Sequence, residues 1–220
     1  MLTRAMPSLA SNNSNQRDEN IHQKECSHLQ LPAGWIVKTI SEYNDLSNFV
    51  TDLKYTIDLS GDSNIFLGFD VEWDSLTEND RRNSKPEVLQ LATSDGKFIA
   101  VLQLQKVFGN VQRTEQMDRW NCLTSLFMHS KVKLCGVGIK ADITRLMAHW
   151  PEGLFGLGLR EKVFDAGQNG IKHNVVGRGE GSLGKLTMKF FNQRLDKVRV
   201  VQQKQNACQL FSVSNIHWAT

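Results

Sequence analysis

The pattern of apolar and polar residues divides this 220-residue chain into a polar start and a longer segment with strand and helix signals. Residues 1–31 are rich in Ser, Asn, Gln and charged side chains. Such a segment cannot bury enough apolar surface to offset the entropy lost on ordering. We therefore predict that residues 1–31 form a disordered tail.

Short apolar runs bounded by Gly, Asp, Asn or Ser predict β-strands in the rest of the chain. The predicted strands cover residues 35–40, 65–73, 88–93, 98–104 and 132–139, and a shorter apolar piece covers 163–166. Apolar residues spaced three or four apart predict helices. Ser41 and Ser182 are expected to cap the first and the last of these helices.

Each predicted helix places a set of apolar residues on one face. These residues are Leu46, Phe49, Val50 and Leu53 in the first helix, Ile143, Leu146, Met147 and Trp150 in a later one, and Leu183, Leu186 and Phe190 in the last, with a further helix at 120–129. Strands come first as a meander and then alternate with helices. That order predicts an α/β fold with a mixed sheet.

Composition narrows the class of protein. With 40% hydrophobic and 22% charged residues, the chain has an ordinary globular composition and no apolar run long enough to span a bilayer. Its start lacks a signal-peptide core, and its four cysteines lack zinc-ligand spacing, so reduced thiols are expected. We expect a nuclear or cytoplasmic protein. Arg4 and Arg17 in the acid-poor start make a mitochondrial location the less favoured alternative.

Charge is concentrated at the C-terminal end. Residues 168–220 contain eight Lys or Arg side chains but only two acids, Glu180 and Asp196. A basic region of this kind suits a polyanionic partner, although a solvated basic surface explains it equally well. The side chains that could follow a phosphate backbone are Lys185, Lys189, Arg194, Lys197 and Arg199.

Asp70 and Glu72 form the sharpest chemical signal in the sequence. They lie two apart in a predicted strand, so both carboxylates project from the same face. Two like charges held this close repel each other, and a divalent cation relieves that repulsion. Their hard oxygen ligands suit Mg²⁺ or Mn²⁺. The alternative is an exposed acidic pair at the end of a strand.

Asp142 follows a glycine-containing strand and opens the next helix. Two interpretations stay open at this position. The residue could cap the helix or interact with its dipole. It could also be a third carboxylate delivered to the end of the sheet, where sites usually form in α/β proteins.

Taken in order, these segments resemble the DEDD superfamily of 3′–5′ exonucleases. The segment from Phe69 to Trp73 is similar to the first exonuclease motif, DxE, of the ribonuclease D and Werner-syndrome exonuclease group. The segment Cys135–Asp142 resembles the second motif, in which a glycine-rich strand end precedes an acidic residue. Val88–Ala92, Phe164-Asp165 and Ser182-Leu183 fall where that group places further elements. The resemblance covers roughly residues 35–199.

The resemblance implies a ribonuclease H-like fold and a two-metal-ion hydrolysis of nucleic acid from a 3′ end. It implies that Asp70 bridges both ions, that Glu72 holds the hydroxide-bearing ion, and that Asp142 supports the second. The substrate would be DNA or RNA, single-stranded at its terminus. Trp73 could stack on a terminal base or belong to the core.

One part of the family pattern is missing. The family places a tyrosine four residues before a fourth metal-binding aspartate, whereas no tyrosine follows Tyr55 in this chain. We therefore expect an incomplete domain over residues 32–200 and a divergent tail over residues 201–220. Two functions stay open: an exonuclease impaired by loss of the fourth ligand, and a truncated or inactive module that binds nucleic acid or acts as an adaptor.

Overall fold

The computed structural model describes residues 27–28, 35–61, 64–74, 84–151, 157–159 and 162–194. Its β-strands are β1 (Ser27–His28), β2 (Val37–Ile40), β3 (Ile65–Trp73), β4 (Pro86–Thr93), β5 (Ile99–Gln103), β6 (Val132–Gly136), β7 (Val163–Asp165) and β8 (Gln193–Arg194). Its α-helices are α1 (Tyr43–Leu59), α2 (Leu104–Phe108), α3 (Arg113–Phe127), α4 (Ile139–His149), α5 (Ala166–Lys172) and α6 (Leu183–Phe191). A 3₁₀ turn covers Leu157–Leu159.

Six of the strands form one sheet in the order β2-β5-β4-β3-β6-β7. The hairpin strands β3, β4 and β5 pair antiparallel, whereas β2, β6 and β7 each pair parallel to a neighbour. Helices flank this sheet. The predicted α/β fold with a mixed, ribonuclease H-like sheet is therefore confirmed.

Strand β3 lies inside the sheet and separates core from site. Leu67, Phe69 and Val71 are buried, while the alternating positions Gly68 and Asp70 are only partly buried. Phe69 packs edge to face against Phe127 of α3, with ring centroids 5.8 Å apart. The period-2 pattern read from the sequence thus describes a real division between an apolar face and a face that carries acids.

The helices bury most of the residues that their spacing predicted, while Met147 and Leu183 are only partly buried. Leu46, Phe49, Val50 and Leu53 of α1 are buried, and so are Ile143 and Leu146 of α4. Trp150 follows α4 and packs against Trp120 of α3, which stacks on Phe108 at 3.9 Å between ring centroids. In α6, however, Leu186 is buried whereas Phe190 is 55% exposed, so the predicted burial of Phe190 is wrong.

Several element boundaries differ from the sequence-based predictions. Helix α1 begins after Glu42, so Ser41 is not its N-cap, while Ser182 occupies the N-cap of α6 without a side-chain capping bond. Helix α3 begins at Arg113, before the predicted start at residue 120. The prediction missed its first two turns because they are mostly polar and lack an apolar period. Helix α5 was missed because its short sequence contains two glycines and one large apolar residue.

The ends of the chain are described only in part. Ser27–His28 lie within the segment predicted to be a disordered tail, yet they pair in parallel with Gln193–Arg194. The other residues of the predicted tail lie outside the described residues, and so do residues 32–34. The predicted boundary near residue 200 and the segment 201–220 also lie outside them. Within the described ranges, no helix is long and apolar enough to cross a membrane.

Candidate active site

Asp70 and Glu72 lie on the part of β3 that extends beyond its parallel neighbour. The pairing of β3 with β6 covers Ile65 to Gly68, while the pairing with β4 continues past Glu72. Asp70 is half-buried and Glu72 is exposed. Both carboxylate positions therefore lie at the carboxyl end of β3, beside the gap that opens where β6 ends and turns into α4.

The turn from β6 into α4 depends on two glycines. A Cβ atom at Gly136 would lie 2.4 Å from the carbonyl oxygen of Phe69, so only glycine lets the two strands approach this closely. Gly138 has a φ of +75°, which glycine adopts with little strain. These two requirements end the strand at Gly136, three residues before the predicted end, and start α4 at Ile139.

This turn brings Asp142 to the end of β3. The N-cap of α4 is Gly138, so Asp142 lies in the first helical turn and is not the helix cap. Its Oδ1 accepts a hydrogen bond from the indole Nε1–H of Trp73, at 3.1 Å. The contact joins two predicted site residues that are far apart in sequence. It also places the Asp142 carboxylate next to the strand that carries Asp70 and Glu72.

The electrostatic surroundings of Asp142 are acidic. Burial raises the pKa of its carboxyl group, and the charges of Glu72 and Asp165 raise it further. The hydrogen bond from Trp73 and the guanidinium of Arg145 act in the opposite direction. The charges of Glu72 and Asp165 are therefore close enough to influence the ionisation of Asp142. A cation bound among these carboxylates would relieve their repulsion.

Asp165 is the most deeply buried of these acids, with 2% of its surface exposed. Its Oδ2 accepts a hydrogen bond from the backbone N–H of Gly138 at 3.1 Å, and its Oδ1 accepts one from the N–H of Gln168 at 3.0 Å. It thus caps α5 and secures the turn that precedes α4. This arrangement gives Asp165 a structural role.

Arg145 is a site residue that the sequence analysis missed. Its guanidinium lies 3.6 Å from the ring centroid of Trp73, and its Nη2 donates a hydrogen bond to the hydroxyl of Ser84. Its spacing from Asp142, three residues along α4, could have indicated a shared helix face. The residue was overlooked because a single arginine on a helix is ordinarily solvated surface.

Two of the basic residues predicted to bind nucleic acid, Lys185 and Lys189, lie one turn apart on α6. Lys185 is exposed and donates to the backbone carbonyl of Gly179 at 3.0 Å, while Lys189 is exposed on α6. Arg194 belongs to β8, but its side chain is outside the described part, as are Lys197 and Arg199. Their predicted role is therefore not addressed by the described geometry.

The carboxylates have the chemistry that a divalent ion requires, but they are not closely gathered. Among the described residues, no group of three or more His, Cys, Asp or Glu side chains is arranged to hold a metal ion. The donor set of Asp70, Glu72 and Asp142 nevertheless consists of hard oxygens, which fits Mg²⁺ or Mn²⁺. Exonucleases of the family identified below generally use divalent metal ions.

Comparison with known proteins assigns this chain to a family. Residues 36–219 match the family model described as 3′-5′ exonuclease. A 3′-5′ exonuclease of Drosophila ananassae is 26% identical over 171 residues, which are 77% of this chain and 44% of that protein. The chain thus spans less than half the length of this curated relative.

Two solved structures share the fold. The Nibbler EXO domain of Aedes aegypti matches with a TM-score of 0.56 at 14% identity, covering 80% of this chain and 81% of that one. Ribonuclease D of Escherichia coli, an exoribonuclease involved in structured RNA processing, matches with a TM-score of 0.54 at 11% identity, covering 76% and 36%. With the family match over most of its length, the chain belongs to the 3′-5′ exonuclease family.

Proposed function

We propose that this chain is a metal-dependent 3′–5′ exonuclease domain that hydrolyses DNA or RNA from a single-stranded 3′ end. The observation that carries the proposal is the position of Asp70 and Glu72 at the end of β3, next to the first turn of α4 that carries Asp142, in a chain of the 3′-5′ exonuclease family. The hydrogen bond from Trp73 to Asp142 supports this juxtaposition.

The proposed site would hold its divalent ion with Asp70, Glu72 and Asp142, with Mg²⁺ or Mn²⁺ as candidates. When bound, the ion would polarise the scissile phosphate and activate a water molecule for attack. The protein contributes carboxylates at the end of a rigid strand, and a helix whose first turn carries the third acid. Because the acids repel one another, the cation that neutralises them would also be bound more tightly.

A second candidate is a nucleic-acid-binding module without turnover. One observation favours it: among the described residues, no three acids are arranged to hold a metal ion. The basic side chains Lys185, Lys189, Arg194, Lys197 and Arg199 would then serve binding alone. In either case a nuclear or cytoplasmic protein is proposed.

The experiment that separates these functions uses the whole chain and a 5′-labelled single-stranded oligonucleotide, in DNA and RNA forms, with Mg²⁺ or Mn²⁺. An exonuclease should shorten the labelled oligonucleotide stepwise from its 3′ end. Asp70→Ala should slow this reaction by about a hundredfold or more. Asp52→Ala, an exposed acid on α1, is the matched control and should leave the rate unchanged.

The same samples measure binding by fluorescence anisotropy. Binding that weakens as salt rises, without metal-dependent shortening, would favour the non-catalytic module, because released counterions make phosphate contacts salt-dependent. Shortening that persists in Asp70→Ala would contradict the proposed site. If the chain neither binds nor shortens the oligonucleotide, both functions are contradicted.

A further inference from the structure

The indole of Trp73 lies where β3 becomes irregular at its end. The pairing of β3 with β4 shifts register between Glu72 and Trp73, and Trp73 then lies opposite Pro86. Strict alternation would place residue 73 on the side of the buried Phe69 and Val71, opposite Glu72. Trp73 is half-buried and packs against the apolar core, and its Nε1–H also reaches Asp142 in the first turn of α4.

Two residues of α4 then hold Trp73 in place. Its Nε1–H donates to Oδ1 of Asp142, and its ring faces the guanidinium of Arg145, 3.6 Å from the ring centroid. Arg145 also donates to the hydroxyl of Ser84, just before β4. Trp73, Asp142 and Arg145 thus form a contact set that links the end of β3 to the first two turns of α4.

We propose that Trp73 is a positioning residue for Asp142, and that Arg145 stabilises Trp73 in that role. The inference rests on the proposed function, because it takes Asp142 as a metal ligand. The indole bond fixes one carboxylate oxygen, Oδ1. With Oδ1 held by the indole, Oδ2 would be the oxygen that meets the proposed ion.

The surroundings explain why such a holder is needed. Asp142 is half-buried and lies near the carboxylates of Glu72 and Asp165. Without a donor, repulsion would turn its side chain away from these acids. The neutral indole N–H holds the carboxylate without itself adding a positive charge to the site. Residues that orient metal ligands in this way typically change metal affinity about 10- to 100-fold when removed.

This role differs from the stacking of a terminal base, which the sequence also allowed for Trp73. Arg145 covers one face of the ring, so that face is not available to a base. The two roles predict different responses to substitution. Trp73→Phe keeps an aromatic ring for stacking and for Arg145, but it removes the N–H. Trp73→Ala removes both.

The first test measures the contact without any metal or substrate. In the ¹⁵N-labelled chain, the indole N–H signal of Trp73 is identified by its loss in Trp73→Phe. Asp142→Ala should move that signal and speed its exchange with water, while the signal of Trp35 stays unchanged. Asp118→Ala, an exposed acid on α3, is the control and should move neither signal. A Trp73 signal that does not respond to Asp142→Ala overturns the proposal.

The second test measures Mn²⁺ affinity by calorimetric titration of the folded chain. Trp73→Phe and Trp73→Ala should both weaken Mn²⁺ binding about tenfold or more, and Arg145→Ala should weaken it less. Trp35→Phe serves as the matched control. In the exonuclease assay, both Trp73 variants should lower kcat with little change in KM.

The outcomes separate this inference from the proposed function. If Trp73→Phe binds Mn²⁺ like the unaltered chain, while Trp73→Ala raises KM, Trp73 contacts substrate and the positioning role is wrong. If the unaltered chain binds no Mn²⁺ and does not shorten oligonucleotides, the proposed function fails as well. Mn²⁺ binding that is lost in Asp142→Ala but unaffected by Trp73→Phe contradicts the positioning role alone.

Discussion

Two neighbouring strand-to-helix junctions in this protein each carry an aspartate, and the structure uses them differently. At the β7–α5 junction, Asp165 is buried and accepts two backbone hydrogen bonds, from Gly138 and Gln168. At the β6–α4 junction, Asp142 is half-buried and accepts its bond from an indole side chain. Two acids in similar local settings thus differ in the donors that the fold supplies.

The difference separates a structural carboxylate from the one that we propose as a metal ligand. Two backbone N–H donors hold the Asp165 carboxylate, which joins the turn before α4 to the start of α5. Asp142 has fewer donors and lies near other acids, so its pKa is raised by burial and by Glu72 and Asp165. A carboxylate whose charge the protein does not fully stabilise is better suited to bind a cation.

The largest expected effect concerns Asp142. Asn at this position keeps an oxygen for the Trp73 bond but removes the charge that the proposed ion needs. We expect Asp142→Asn to lower exonuclease activity by about a hundredfold or more. The measurement is the oligonucleotide assay with Mg²⁺ and Mn²⁺. Activity within a few-fold of the unaltered chain would contradict the proposed ligand role.

The same variant should not lose stability at neutral pH. Because the folded-state pKa of Asp142 is raised, the ionised group opposes folding above that pKa, and its unfavourable contribution disappears as pH falls through it. Asp142→Asn should therefore have an equal or higher melting temperature at pH 7, with a smaller difference at low pH. Calorimetry across pH checks this, and a lower melting temperature at pH 7 would contradict it.

The opposite pattern is expected at Asp165. Asp165→Ala would leave the N–H of Gly138 without its acceptor and remove the cap of α5. We expect the free energy of unfolding to fall by about 3 kcal/mol, from the loss of charge-assisted bonds in a buried site. Urea denaturation measures it. Glu180→Gln, an exposed acid that accepts from the N–H of Gly177, is the control and should change stability much less.

A smaller effect tests how the β6–α4 junction is built. Gly136→Ala would place a Cβ atom 2.4 Å from the carbonyl oxygen of Phe69, so the two strands would have to separate. We expect a loss of about 2 kcal/mol, typical of overpacking. Its effect on activity should exceed that of Asp165→Ala at equal stability, because the shift displaces α4 relative to β3. Equal activities at matched stability would contradict this.

The smallest effect provides a reference for these glycines. Gly184 lies in α6, and a Cβ there would meet no atom within 4 Å. Gly184→Ala should therefore raise the free energy of unfolding by about 0.5 kcal/mol, because alanine loses less conformational entropy than glycine. Urea denaturation again gives the value. A destabilised variant would show that α6 has packing that its described surroundings do not account for.

Local sequence patterns predicted many of the strands and helices of this structure. The spacing of Asp70 and Glu72 placed both on one strand face, because the side-chain period of a strand is two wherever the strand lies. The apolar spacing of Leu46, Phe49, Val50 and Leu53 was enough for α1, and the order of strands and helices was enough for the mixed sheet. The spacing of residues within each element depends only on neighbours that are close in the sequence.

Contacts across the chain were decided only by the tertiary structure. Trp73 and Asp142 meet because the turn at Gly136 brings β3 and α4 together, and no local period contains that information. The same holds for Asp165, whose second donor, Gly138, comes from another junction. The sequence by itself determined which acids the site could use. Only the packing of the sheet and its helices decided which donors each acid receives, because a carboxylate's role depends on the charges and N–H groups that the fold places around it.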